Sequence, residues 1–112
     1  MFELYIFNSA DEIKKLIDSN RMVAIYFSGN SCGACKVIKV KIEHILKKYP
    51  NIKACEINGE EHLDIATSYG IFSVPVFLLF IDGKEYIRVG RNLDLLKLER
   101  DMNRYYNMIF LF

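Results

Sequence analysis

Met22-Val-Ala-Ile-Tyr-Phe27 is an almost wholly apolar run. A strand with one wetted face alternates apolar and polar residues, whereas a strand covered on both faces does not need to. The run therefore predicts a strand in the middle of a sheet, with helices packed on each side. What precedes it fits. Phe2 to Phe7 reads as a short apolar strand, and Ser9-Ala-Asp-Glu12 as a capping box. There the Ser9 hydroxyl takes a free amide at the helix start and Glu12 reaches back. Ile13, Leu16 and Ile17 then recur at helical spacing, which carries a first helix to about Ser19.

Beyond the run, Ser28-Gly-Asn-Ser31 signals a loop. A second helix is expected from Cys32, with Val37, Ile38, Ile42, Ile45 and Leu46 as its apolar stripe and Lys36, Lys39, Lys41, Lys47 and Lys48 on the polar side. Pro50 marks its end, because the residue before a proline avoids helical geometry. Ile52 to Ile57 reads as a third strand. A short helix follows Asn58-Gly59 and runs to about Tyr69, with Gly70 as its stop. Val76 to Ile81 and Glu85 to Val89 are strands joined by an Asp82-Gly83 hairpin turn. Asn92 is the expected cap of a last helix, along one side of which lie Leu95, Leu98, Met102, Tyr105 and Ile109.

The order β-α-β-α-β-α-β-β-α asks for parallel strands early and an antiparallel pair late. A mixed sheet with helices on both faces, an α/β architecture, satisfies both. The 112 residues are one domain's worth of chain, with no linker or repeat, and 52% hydrophobic residues suffice for a core. Residues 1–112 are thus expected to form a single domain.

Fifteen basic residues stand against fourteen acidic ones, a net charge of +1. That balance argues against a nucleic-acid partner held by bulk electrostatics and against a polybasic membrane anchor. No apolar run reaches the length of a membrane span. The opening Met1 to Phe7 carries Glu3 and no basic leader, so a cytoplasmic location is expected.

Two of the three cysteines, Cys32 and Cys35, are spaced Cys-x-x-Cys where the second helix begins. Free amides and the positive end of the helix dipole stabilise a thiolate in a first turn. Such positions lower a thiol pKa from about 8.5 toward roughly 7 or below, and Lys36 adds positive potential. Cys35 falls on the same side of the helix, where it can attack a mixed disulfide formed at Cys32. Gly33 and Ala34 are small, so a partner chain can approach the sulfur. The competing reading of such a pair is half of a zinc site, which needs four ligands. Cys55, His44 and His62 are scattered and supply no second paired motif.

Ser73-Val74-Pro75-Val76 opens the Val76–Ile81 strand. Proline there has a bland explanation, since it cannot donate to a ladder. Beside a cysteine pair it has another. A cis Val74–Pro75 bond would turn the Val74 backbone toward the sulfurs and offer an edge for substrate pairing.

Taken together, these residues resemble the thioredoxin family, over nearly the whole chain. The matching stretches are Cys32-Gly33-x-Cys35-Lys36 after an apolar strand, Tyr69-Gly70-Ile71-x-Ser73-Val74-Pro75, Phe80-x-Asp82-Gly83-Lys84, and Val89-Gly90. The resemblance implies a thioredoxin fold, a central five-stranded mixed sheet flanked by four helices. It implies that Cys32 is the attacking, partly exposed thiolate and Cys35 the more buried resolving thiol. Ser73, Val74 and cis Pro75 would line a substrate groove, with Gly90 on its rim.

Several positions depart from the family pattern. Tyr26 stands where many thioredoxins carry a buried aspartate, a carboxylate thought to handle the proton of the resolving thiol. The lysine paired with it aligns with Ala54, as if the pair were lost as a unit. Ser31 replaces a tryptophan, Ala34 a proline between the cysteines, and Val40 a proline that kinks the helix. A straighter second helix is expected.

Cys55 reads as a small buried hydrophobe, His44 and His62 as solvated surface residues, and Glu60-Glu61 as favourable charge at a helix start. The apolar tail Tyr105 to Phe112 either packs back on the sheet or forms a dimer or partner contact. The expected function is reduction of protein disulfides through the Cys-Gly-Ala-Cys dithiol, with no cofactor or metal in the chain. The expected partners are disulfide-containing proteins and a recycling reductase or small thiol, with the protein itself a monomer. Two alternatives stay open: a more oxidising exchanger or isomerase, and a non-catalytic binding module on the same fold.

Overall fold

The structure, a computed structural model, describes residues 4–111. The apolar run becomes β2 (Met22–Ser28), buried at all seven positions. Its side chains alternate between two cores. Met22, Ala24 and Tyr26 enter one with Ile42, Leu46, Leu98 and Met102. Val23, Ile25 and Phe27 enter the other with Ile13, Ile17, Ile65 and Leu78. Each large side chain so covered contributes about 1.5–3 kcal/mol relative to exposure, which is why this strand has no polar face.

Around it lie β1 (Tyr5–Ile6), β3 (Lys53–Asn58), β4 (Val76–Ile81) and β5 (Lys84–Val89), in the order β1-β3-β2-β4-β5. The β1–β3 and β3–β2 pairs are parallel, and the β2–β4 and β4–β5 pairs antiparallel. Helices α1 (Ala10–Ser19) and α3 (Leu63–Ser68) cover one face, and α2 (Gly33–Leu46) and α4 (Leu95–Phe110) the other. The five-stranded mixed sheet with four helices follows the expected order.

Local signals explain most element ends. Ser9 Oγ accepts from the Glu12 amide at 3.1 Å, while Glu12 reaches back to the Asn8 amide. Asp82 and Gly83 both take positive φ, 48° and 83°, the backbone a tight two-residue hairpin needs. Arg21 closes that turn with a two-toothed ion pair to Asp82, both contacts at 3.0 Å.

Three expectations need correction. The first strand is shorter than Phe2–Phe7: β1 holds Tyr5 and Ile6, both well exposed on a sheet edge, and Phe2 lies outside the described residues. Val37 leaves the stripe of α2 and is 57% exposed, because the buried line runs through Cys35, Ile42, Ile45 and Leu46 with Ile38 beside it. The last helix is capped by Asp94, whose Oδ1 accepts from the Lys97 amide at 3.1 Å, and not by Asn92. Both residue types can cap, and the chain enters the helix only after Asp94. The second helix runs unbroken past Val40.

Candidate active site at the start of the second helix

The loop after β2 delivers Cys32 to the N-cap of α2, in extended geometry (φ −106°, ψ 99°), with no side-chain capping bond. Its sulfur is joined to Cys35 in a disulfide, with the Cα atoms 5.4 Å apart. Both cysteines are buried, at 7% exposure for Cys32 and 2% for Cys35. The expected ranking holds, although Cys32 is less open than a partly exposed thiol. Gly33 is exposed and Ala34 half-buried.

The two sulfur-bearing residues open onto different spaces. Cys32 lines a groove of about 350 Å³ with Ser73, Val74, Gly59, Glu60, Phe72 and Arg91. The Val74–Pro75 bond is cis, and the Val74 carbonyl oxygen lies 3.8 Å from Cys32 Sγ. Gly90 sits beside Pro75: a Cβ there would be 3.7 Å from the Pro75 oxygen. Gly59 is constrained more tightly, since a Cβ would approach Val74 Cγ1 to 3.2 Å. Pro75 is buried, and neither it nor Gly90 is part of the groove lining.

Cys35 lines a second cavity, of about 380 Å³, with Ser28, Lys36, Lys39, Glu56 and Glu61 among its walls. Glu56 faces Tyr26 in register across the β2–β3 ladder. Its Oε2 accepts from Ser28 Oγ at 2.6 Å. Its Oε1 lies 2.7 Å from Lys39 Nζ, an ion pair that lacks hydrogen-bond alignment. Tyr26 donates its hydroxyl to the Cys35 carbonyl at 2.6 Å. Burial, and then the Glu56 charge, push the Tyr26 pKa well above its ordinary value, so the phenol stays protonated.

Sequence reasoning missed four charged residues here. Glu60 and Glu61 immediately precede His62, the N-cap of α3, and their side chains have further partners. They serve the cysteine loop: Glu60 Oε1 accepts the Ser31 amide at 2.9 Å, and Glu61 Oε1 takes Asn30 Nδ2 at 2.9 Å. Asn58 sets both, because its Oδ1 accepts the amides of Glu60 and Glu61. Arg91 donates from Nη2 to the Val74 carbonyl at 3.1 Å, and Glu56 pairs with Lys39. The acidic pair next to a turn is the one visible signal, and a helix-start reading does not reveal its bonds to the cysteine loop. Cys55 is buried as expected, its pKa pushed up to about 12 by burial and then by the charge of Glu12. His44 is exposed and His62 half-buried.

The thioredoxin family model matches residues 5–104 of this chain. A thioredoxin-like protein of Bacillus subtilis, YdfQ, is 32% identical over 108 residues, 96% of each chain. The chain belongs to the thioredoxin family. Thioredoxin-1 of Saccharomyces cerevisiae is 31% identical over 83 residues, which span 74% of this chain and 81% of that protein. Among solved structures, a thioredoxin of Halobacterium salinarum superposes with a TM-score of 0.83, at 23% identity, covering 93% of this chain and 91% of the other. The fold is thus the thioredoxin fold. With a Cys32–Cys35 disulfide in a thioredoxin-family chain, this protein is a thiol–disulfide oxidoreductase.

One departure from the family pattern takes a different form in three dimensions. Ala54 lies opposite Ala24, while the residue opposite Tyr26 is Glu56. The space behind Cys35 has therefore not lost its charged pair. It holds a carboxylate from β3 and an ammonium from α2.

Proposed function

We propose that this protein reduces protein disulfides. The Cys32 thiolate attacks one sulfur of a substrate disulfide, forming a Cys32–substrate disulfide while the substrate bond breaks. The departing sulfur takes up a proton from solvent. Cys35 then loses its proton and attacks Cys32 Sγ. The Cys32–Cys35 disulfide forms, the second substrate thiolate leaves, and two electrons have passed to the substrate. A reductase or a small thiol restores the dithiol from outside the chain.

The observation that carries this reading is the division of the pair between two spaces, Cys32 on the groove and Cys35 on the cavity behind it. The helix start at Cys32 favours its thiolate electrostatically. The groove supplies the Val74 backbone as a docking edge next to the sulfur, with Ser73 beside it and cis Pro75 holding its shape. Gly33 and Ala34 leave room for an approaching chain, and Gly90 leaves the flank of Pro75 open. Behind the pair, the Glu56 carboxylate accepts the Cys35 proton by way of the shared cavity, and Lys36 and Lys39 hold the resulting negative charge there. The thioredoxin names of the relatives agree with a reductant.

Reduction of insulin with dithiothreitol as the electron source tests the reading. The wild-type chain is expected to accelerate precipitation of the insulin B chain, and Cys32→Ser to do no better than dithiothreitol alone. Equal rates for the two proteins would overturn it. Equilibration against a glutathione buffer tests the direction. A reductant settles nearer the roughly −270 mV of thioredoxin than the roughly −180 mV of a disulfide isomerase.

A further inference from the structure

We propose that Arg91 selects the substrate, so that the groove before Cys32 takes disulfide segments carrying a carboxylate next to the attacked cysteine. The inference rests on the disulfide-reductase reading. Two contacts place the guanidinium. Arg91 Nη2 donates to the Val74 carbonyl oxygen at 3.1 Å, and that same oxygen lies 3.8 Å from Cys32 Sγ. The guanidinium nitrogen is therefore no more than about 7 Å from the sulfur that meets the substrate.

Arg91 is exposed, and its one hydrogen bond among the described residues goes to an uncharged carbonyl. No carboxylate pairs with it among those residues. A guanidinium has five N–H donors in a planar fork suited to a carboxylate, so most of this fork is available to a ligand. The other charged side chain on the groove is already engaged, because Glu60 Oε1 holds the Ser31 amide. The rest of the wall mixes the hydroxyl residues Ser31, Thr67 and Ser73 with apolar ones, of which Phe72 is 84% and Leu63 66% exposed. An extended segment entering here meets exposed apolar side chains and, near the sulfur, a cation with no carboxylate partner among the described residues. The occupant that complements both is a protein segment with an acidic residue beside its cystine.

Two peptide disulfides test this. They are identical except that each cysteine is followed by Glu in one and by Lys in the other. The 112-residue chain, recycled by dithiothreitol, is assayed for kcat/KM on both. Wild type is expected to favour the Glu peptide by roughly threefold to tenfold, the scale of a pair of exposed charge contacts. Arg91→Glu is expected to reverse the preference and Arg91→Lys to keep part of it. In 1 M salt, where charges are screened beyond about 3 Å, the wild-type ratio falls toward one. A merely structural Arg91 would lower both rates together and leave the ratio alone. Equal ratios in wild type and Arg91→Glu, with both peptides reduced, overturn the inference while the reductase reading stands. If wild type reduces neither peptide, the reductase reading fails and the inference with it.

Discussion

Tyr26 and Glu56, neighbours in register on β2 and β3, grip the second helix at points one turn apart. The Tyr26 hydroxyl holds the Cys35 carbonyl at 2.6 Å, and the Glu56 carboxylate holds Lys39 Nζ at 2.7 Å. The sheet thus fixes the helix turn that carries Cys35 through one neutral and one charged contact. Glu56 also lines the cavity onto which Cys35 opens.

Removing only the phenolic oxygen isolates the neutral contact. Tyr26→Phe keeps the ring in its fully buried place and deletes one hydrogen bond. A loss of about 1 kcal/mol of unfolding free energy is expected, measured by urea denaturation of the oxidised protein. No change, or a gain, would show that the contact adds nothing to stability.

The charged contact has a kinetic consequence. Glu56→Gln removes the proposed acceptor for the Cys35 proton while keeping the side chain's size. Release of product from the Cys32 mixed disulfide is expected to slow by roughly a hundredfold at pH 7, the lower end of the range for loss of a general base. In a Cys35→Ser background, where release does not occur, the same substitution leaves the rate of mixed-disulfide formation unchanged. Stopped-flow traces of the two steps separate these outcomes. Equal slowing of both steps would contradict the assigned role.

Cys55 makes a prediction about pH. Its pKa is raised by burial to about 12 in the fold, against 9.0 for an unperturbed thiol. The folded chain therefore keeps a proton that the unfolded chain loses between those values. Its contribution is fully present below about pH 9 and is lost as the pH rises toward 12, at up to about 1.4 kcal/mol per pH unit. The raised pKa of Tyr26 acts in the same direction at still higher pH. Urea titrations of the oxidised protein from pH 8 to 11 should show falling stability, with a shallower slope for Cys55→Ala. Parallel slopes would contradict the assignment.

Much of the fold was legible because its signals are local. The Ser9–Glu12 box, the Asp82-Gly83 turn and the unbroken apolar stretch of β2 each encode their structure within a few residues. Cys32, Cys35, Val74 and Pro75 were legible through motif spacing. The charged residues around them were not, because each works across a long stretch of chain that includes whole helices or strands. Ser31 and Glu60 are 29 residues apart, and Val74 and Arg91 are 17 apart. Val37 misled for a related reason: helical periodicity alone does not say which of two adjacent apolar residues faces the sheet. Asn92 and Asp94 are both good caps, and only the path of the chain after Gly90 chooses between them.

The tail offers a further test. Ile109 and Phe110 pack against the core shared by α2 and α4, and the Phe110 ring centroid lies 4.9 Å from that of Tyr106. Met108 and Leu111 are mainly exposed. Truncation after Asn107 is expected to lower stability by about 2–4 kcal/mol, as loss of two packed side chains should. The mass by light scattering should be unchanged. A shift from dimer to monomer on truncation, with stability intact, would make the tail an interface.

Trapping the intermediate tests the central claim most directly. Cys35→Ser, reduced and then mixed with a peptide disulfide, should give a covalent adduct that peptide mapping locates on Cys32 and that dithiothreitol releases. Cys32→Ser should give none. An adduct on Cys35 in Cys32→Ser, an adduct on Cys55 in either variant, or no adduct at all in Cys35→Ser would contradict the assignment of Cys32 as the nucleophile.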